Sequence, residues 1–146
     1  ILREKKKGDY LVENKMYVNA VKIYENALLK EDNEGLGEQF RGGIYHNMGC
    51  AYLHLFQFEE AAECFLKAYQ FLHTKQVLSH YLMACCMGNP EEFSGICNRM
   101  GASLQMQEEI KEKLKEAGET VEEPQNQELG KCLEGFIKEY HRSTGF

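Results

Sequence analysis

Apolar residues recur at spacings of three and four along most of the chain, which places them on one face of successive helices. The pattern is clearest in residues 42–75, where a short break separates two such faces. The first face comprises Tyr45, Met48, Gly49 and Tyr52, and the second comprises Phe58, Ala61, Ala62, Phe65 and Ala68. We therefore predict an antiparallel helix pair with the small residues Gly49 and Ala61 at its crossing.

The same pattern occurs 41 residues earlier in the chain. At this offset the matched positions are Gly8 with Gly49, Ala20 with Ala61, Ala27 with Ala68, Tyr17 with Phe58 and Tyr24 with Phe65. Residues 35–41 contain two glycines and are interpreted as an insertion, whose removal leaves a unit of 34 residues. We predict an internal repeat, with Gly8 and Ala20 at the crossing of its first unit.

This arrangement resembles the tetratricopeptide repeat family, whose period is about 34 residues. The family places a bulky residue, Leu-Gly and Tyr on its first helix, followed by Ala, Phe and Ala on its second. Residues 42–75 supply Tyr45, Met48-Gly49, Tyr52, Ala61, Phe65 and Ala68 at these positions. HEAT and armadillo repeats have periods of about 40–47 residues, but the small-residue crossing and the insertion favour the shorter unit.

The resemblance implies an all-α fold, a right-handed helical-repeat solenoid of antiparallel helix pairs with C-terminal capping helices. We predict one domain, divided into repeat 1 (1–34), an insertion (35–41), repeat 2 (42–75), a degenerate repeat 3 (76–102) and capping helices (103–146). In repeat 3, Pro90 is expected near the first position of a helix. The chain starts at Ile1 rather than Met, so we expect it to be part of a longer protein.

Two helices are predicted in the C-terminal part of the chain. Ser103 is expected to cap the first of them, at 104–117. Its apolar face is assigned to Leu104, Ile110 and Leu114. The second is predicted at 128–142. Its apolar stripe is expected to pack on the preceding helices, to dock onto a partner, or to dock back into this protein's own groove.

Composition and charge narrow the class of protein. Apolar residues make up 43% of the chain and charged residues 27%, which is ordinary for a globular domain. No apolar run approaches the roughly 18 residues of a membrane span, and no signal-peptide pattern is present. The net charge is −6, without a basic stripe of the kind that binds phosphate backbones. We expect a cytoplasmic protein, or a cytosol-facing domain, without nucleic-acid binding or direct membrane insertion.

The residues with catalytic or metal-binding chemistry form no known motif. The six cysteines are Cys50, Cys64, Cys85, Cys86, Cys97 and Cys132. Most lie at apolar helical positions, where a free cysteine behaves as a small hydrophobic residue. Neither His-Glu-x-x-His nor zinc-finger spacing occurs, and His80 and Cys85 are five residues apart, which fits one helix face poorly. The sequence therefore predicts reduced thiols, no metal, no cofactor and no enzymatic activity.

The resemblance also implies that the first helix of each pair lines a concave surface. The polar or reactive lining residues by position are Lys5, Asp9, Glu13, His46, Asn47, Cys50, His54 and Lys75. Because burying polar groups without partners is costly, we expect this lining to be accessible. We also expect His46 and His54 to lie near each other, which would make binding sensitive between about pH 5 and 8.

These expectations predict a protein-interaction module that binds a peptide or a segment of a partner protein in the concave groove. One sub-family grips a C-terminal carboxylate there, and Lys5, Asn47 and Lys75 match three of its five positions. Asp9 departs from that pattern and would repel a carboxylate. The alternative is a structural, regulatory or oligomerising helical segment of a larger protein, so self-association stays open.

Overall fold

The structure is a computed structural model that describes residues 2–34 and 37–119. Its α-helices are α1 (Leu2–Glu13), α2 (Tyr17–Glu34), α3 (Glu38–His54), α4 (Phe58–Leu72), α5 (Lys75–Gly88), α6 (Phe93–Met100) and α7 (Leu104–Glu119). A 3-10 turn at Pro90–Glu92 precedes α6, and the described residues contain no strand. The predicted all-α class is therefore confirmed. The predicted helix at 128–142 and Cys132 lie outside the described residues.

Local signals in the sequence set several helix ends. At the start of α5, the Thr74 hydroxyl accepts a hydrogen bond from the backbone N–H of Val77 at 3.2 Å. At the start of α7, the Ser103 hydroxyl accepts one from Met106 at 3.1 Å, which confirms the predicted cap. Gly101 ends α6 with φ 69°, a left-handed conformation that glycine adopts without steric cost.

Helix α3 begins at Glu38, inside the stretch that we predicted as an insertion. A carboxylate in the first turn interacts favourably with the helix dipole, and Glu38 occupies that turn. Half-buried Phe40 packs on the cluster that contains Tyr24. Residues 38–41 are helical, although they lie in the glycine-containing stretch 35–41 that was interpreted as an insertion.

From α1 to α6 each helix packs on the next one in the chain, and α7 packs on α5. The largest interfaces are between α1 and α2, α3 and α4, and α4 and α5. One buried cluster, with Tyr24 and Ile44, lies where α2 and α3 meet α1. A second, with Phe65, Phe93 and Ile110, joins α3 and α4 to α5, α6 and α7. Because α3 contributes to both clusters, the first helices of successive pairs, α1, α3 and α5, lie close to one another.

At each predicted crossing, an aromatic ring lies next to the glycine. A Cβ atom added at Gly49 would lie 2.6 Å from Cε1 of Phe65, and one added at Gly8 would lie 2.5 Å from Cε1 of Tyr24. The atoms nearest to these glycines therefore belong to Phe65 and Tyr24 rather than to Ala61 and Ala20, although both alanines are fully buried. The absence of a side chain on each glycine leaves the space that the ring occupies.

Helix α7 packs through two of its three predicted apolar residues, with Met106 in place of Leu104. Leu104 is 77% exposed, whereas Met106 and Ile110 are buried and Leu114 is half-buried. The three packed residues are four positions apart and so share a face. Leu104 is two positions from Met106, which turns it about 200° away in an α-helix.

Candidate functional site

The residues predicted to line a groove lie on the first helices, as expected, but half of them are inaccessible. Lys5, Asp9 and Glu13 are on α1, His46, Asn47, Cys50 and His54 are on α3, and Lys75 is on α5. The buried members are Lys5, His46, Asn47 and Cys50. Glu13 and Lys75 are exposed, and Asp9 and His54 are half-buried. The expectation of an accessible polar lining is thus corrected for these four side chains. His46, Asn47 and Cys50 contact neighbouring helices, whereas Lys5 bonds to Asp9 on its own helix.

Asp9 is the centre of a polar network that connects three helices. Its Oδ1 accepts hydrogen bonds from the hydroxyl of Tyr24 on α2 and from Nδ2 of Asn47 on α3, the latter at 3.0 Å. Its Oδ2 accepts one from Nζ of Lys5 at 2.8 Å. Charge-assisted hydrogen bonds of this kind are stronger than neutral ones. The network satisfies polar groups whose burial would otherwise be unfavourable.

Burial and the adjacent carboxylate fix the protonation state of Tyr24. Desolvation raises the pKa of its phenol well above the usual value, and the negative charge of Asp9 raises it further. Both effects disfavour the phenolate. The Tyr24 hydroxyl therefore stays a hydrogen-bond donor to Asp9 throughout the physiological pH range.

A second buried contact joins the first helices α3 and α5. Nε2 of His46 lies 2.8 Å from Nδ1 of His80. Nδ1 of His46 lies 3.5 Å from Oδ1 of Asn47, and the Phe65 ring packs beside both imidazoles. His80 was not among the predicted site residues. Its separation from His46 in the sequence could have identified it. The two histidines are 34 residues apart, which is the length of one predicted repeat, so they occupy equivalent positions.

His54 lies in a different environment from the one expected. Its imidazole stacks on the ring of Tyr17, with centroids 4.4 Å apart and parallel planes. His46 pairs with His80, so the predicted pairing of His46 with His54 is wrong. The two predicted histidines take part in separate contacts because His54 is in the last turn of α3, beside the start of α2.

These contacts also involve the residues that match the sub-family that grips a C-terminal carboxylate. Lys5 is bonded to Asp9, and Asn47 donates to the same carboxylate. Of the three matched positions, Lys75 is the exposed one. Two of the three side chains are therefore already bonded to Asp9, Lys5 within α1 and Asn47 across from α3.

An accessible cleft lies between α1 and α2. Its volume is about 420 Å³, and its lining comprises Arg3, Glu4, Lys7, Ile23, Asn26, Leu29 and Lys30. A hydrogen bond from Lys30 holds the pKa of Glu4 at about 2, so this carboxylate is ionised and offsets one positive charge. Arg3 and Lys7 supply the other cations of the lining. The cleft combines positive charge with the exposed apolar side chain of Leu29.

The five cysteines within the described residues are free thiols. Burial raises the pKa of Cys50 well above its usual value and that of Cys64 to about 12. Since the thiolate is the reactive form, these thiols are protonated and unreactive at neutral pH.

Three possible metal ligands meet in one place. Ligand atoms of His46, Cys50 and His80 lie within 4.8 Å of one another, a juxtaposition that the motif search missed.

We expect Cys50 and Cys64 to react with a thiol reagent at pH 8 much more slowly than half-buried Cys86, because both are buried and held in the thiol form. Denaturation should make all three react at similar rates. Mass-spectrometric mapping of iodoacetamide labelling over time measures the difference. Labelling of native Cys50 as fast as that of Cys86 would contradict the described burial.

Comparison with known protein families matches residues 43–72 to the tetratricopeptide repeat. The matched segment runs from the first turns of α3 to the end of α4. The chain therefore contains a tetratricopeptide repeat at these residues, which confirms the resemblance seen in their pattern. No curated protein and no solved structure matches the chain significantly.

No helix in the part of the chain that the structure describes has both the length and the apolar character needed to span a bilayer.

Proposed function

We propose that this chain is a protein-interaction module that binds an extended peptide or a partner helix. The observation that supports the proposal is the tetratricopeptide repeat at residues 43–72 within a continuous series of packed helices. Tetratricopeptide repeats generally mediate protein–protein interactions and are generally not enzymes. Stacked helix pairs offer an extended surface for such binding. Binding without catalysis is therefore the function that we assign.

The proposed binding surface is the accessible part of the first helices. Glu13 lies in the last turn of α1 and Lys75 in the first turn of α5, and both are exposed. Val12 and Ser79 are half-buried on the same two helices. A polypeptide would contact these peripheral residues, because the central polar side chains already bond to one another. Charged groups at the periphery favour a ligand that carries both signs of charge.

The cleft between α1 and α2 is the second candidate surface. Positive charge from Arg3 and Lys7 beside the apolar Leu29 suits a peptide that places an acidic residue next to an apolar one. Its volume of about 420 Å³ lies within the usual range of ligand pockets, roughly 300–1,000 Å³.

A peptide array probed with purified variants tests the proposal and separates the two surfaces. Three double variants are compared. Glu13→Lys with Lys75→Glu changes the first helices, and Lys7→Glu with Leu29→Ser changes the cleft. Glu59→Lys with Glu91→Lys is an exposed control. All must keep the wild-type melting temperature. We expect the first-helix variant to bind captured peptides about tenfold more weakly or worse, since tenfold corresponds to about 1.4 kcal/mol.

Three outcomes of the array are informative. Loss of binding in the cleft variant alone would keep the function and move the site to α1 and α2. Equal loss in the exposed control would show that the contacts are non-specific. Capture of no peptide by the wild-type protein would contradict the proposed function.

Self-association is a second candidate function, favoured by large apolar side chains on the surface. Tyr10, Leu29 and Leu104 are exposed by 62%, 66% and 77%. Light scattering over a range of concentrations measures the molar mass directly. A mass that rises with concentration in the wild type, but not in a Leu29→Ser, Leu104→Ser variant, would favour self-association over peptide binding.

A further inference from the structure

Three metal-ligating side chains meet in the interior between α3 and α5. His46, Cys50 and His80 are 0%, 1% and 2% exposed. His46 and Cys50 are four residues apart on α3 and so lie on one face of that helix, and His80 faces them from α5. The proposed function of the chain does not use this cluster.

The distances within the cluster are close to those of ligands that share one metal ion. Metal–nitrogen bonds are about 2.0–2.1 Å and metal–sulfur bonds about 2.3 Å, so neighbouring ligand atoms around one ion are about 3.3–3.8 Å apart. Nε2 of His46 is 2.8 Å from Nδ1 of His80, and Sγ of Cys50 lies 3.7 Å from Nδ1 and 3.8 Å from Nε2 of His46. Insertion of an ion requires the two imidazoles to separate by about 0.5–0.8 Å and the Cys50 side chain to rotate towards Nε2 of His46.

Neighbouring residues orient His46 for metal binding. Asn47 donates its amide N–H to Asp9, which turns the amide oxygen of Asn47 towards Nδ1 of His46, 3.5 Å away. An acceptor at Nδ1 favours the tautomer with its proton there, so the lone pair of Nε2 faces His80 and the interior of the cluster. Such an outer-shell hydrogen bond is typical of metal-ligating histidines.

The donor set and its burial select the ion. Two nitrogens and one sulfur are unsuitable for Mg²⁺ or Ca²⁺, which require oxygen ligands, and thiolate favours copper(I) or zinc. Binding replaces the Cys50 proton, which leaves to solvent. It also requires the proton that His80 Nδ1 shares with Nε2 of His46 to move to Nε2 of His80, so the imidazole stays neutral. Copper(I) with one thiolate and two neutral imidazoles has no net charge, whereas zinc(II) would leave one positive charge in the interior, which is costly. Asp9 cannot offset that charge, because it is already paired with Lys5 at 2.8 Å.

We propose that His46, Cys50 and His80 bind one copper(I) ion between the first helices α3 and α5. The site has three ligands, which copper accepts in trigonal two-histidine, one-cysteine arrangements, whereas structural zinc sites are almost always closed by four ligands. The bound ion connects α3 and α5 through His46 and His80, which are 34 residues apart in the sequence. Binding stabilises the folded chain in proportion to the logarithm of free copper(I).

The test is an anaerobic competition between the reduced, full chain and the coloured copper(I)–bicinchoninate complex. We expect the wild-type protein to withdraw one equivalent of copper(I). Cys50→Ser should weaken binding by at least about 100-fold, more than loss of an outer-shell partner costs. Cys97→Ala is the matched control, since Cys97 is also fully buried but lies outside the cluster, and its affinity should equal that of the wild type.

X-ray absorption at the copper edge keeps the proposal falsifiable if Cys50→Ser fails to fold. We expect about two nitrogen ligands and one sulfur ligand in the wild type. The proposal is overturned if the wild type withdraws no copper(I), if Cys50→Ser and Cys97→Ala bind equally, or if the spectrum shows sulfur ligands alone. A parallel zinc titration in which the wild type binds zinc more tightly than copper(I) would overturn the assignment of the ion.

Discussion

Replacing Gly49 by leucine is expected to destabilise the protein by roughly 3 kcal/mol, the upper end of the usual cost of overpacking a core. Even the first atom of a new side chain would lie 2.6 Å from Phe65. Phe65 is fully buried, so its ring has no solvent-filled space into which it can move. Thermal or urea unfolding of the variant measures the loss.

Gly95→Ala is the matched control for this prediction. Gly95 is also helical, but it is exposed, and a Cβ atom there would meet only Arg99 Nη1 at an ordinary 3.6 Å. Alanine is favoured over glycine in a helix by about 0.8–1.0 kcal/mol, so this variant should be more stable than the wild type. Equal melting temperatures for Gly49→Leu and the wild type would show that Phe65 does not pack over Gly49.

Asp9→Ala is expected to destabilise the protein by about 2–3 kcal/mol, because the buried Tyr24 hydroxyl and Asn47 amide lose a charged acceptor. The cost stays below that of breaking a fully buried ion pair, roughly 3–5 kcal/mol, since the Asp9 side chain is 31% exposed and water can reach part of the network. Urea unfolding of the two proteins measures the difference.

Glu13→Ala provides the control on the same helix. Glu13 is exposed, and surface substitutions usually change stability by no more than about 0.5 kcal/mol. If Asp9→Ala and Glu13→Ala were equally mild, Asp9 would be a solvated carboxylate and not the centre of a network.

Helical periodicity was sufficient to predict the elements of this fold. Apolar residues at spacings of three and four predicted the paired helices and the helix at 104–117, since one buried face is enough to specify a packed helix, although α3 begins four residues before the predicted repeat. The same spacing could not identify which side chain reaches across a crossing. Gly8 and Gly49 were predicted to share crossings with Ala20 and Ala61. Aromatic side chains are long and lean towards the N-terminus of their own helix, so the rings of Tyr24 and Phe65 are the atoms that reach these glycines.

The candidate site was less predictable, because a polar residue on a first helix is compatible with two environments. His46, Asn47 and Cys50 could face solvent or could bond to a neighbouring helix, and their own positions do not distinguish these cases. The decisive partners are distant in sequence, with Asp9 38 residues before Asn47 and His80 34 residues after His46. A comparison of equivalent positions one repeat apart would have paired the histidines, whereas nothing in the local pattern pairs Asp9 with Asn47.

Buried polar side chains connect successive first helices and so limit where a partner can bind. A double-mutant cycle of Asp9→Ala and Asn47→Ala tests this connection most directly. The wild type, both single variants and the double variant are unfolded in urea. We predict an interaction energy of about 1–3 kcal/mol, as for residues in one hydrogen-bond network. Additivity within about 0.5 kcal/mol, the behaviour of independent sites, would contradict it.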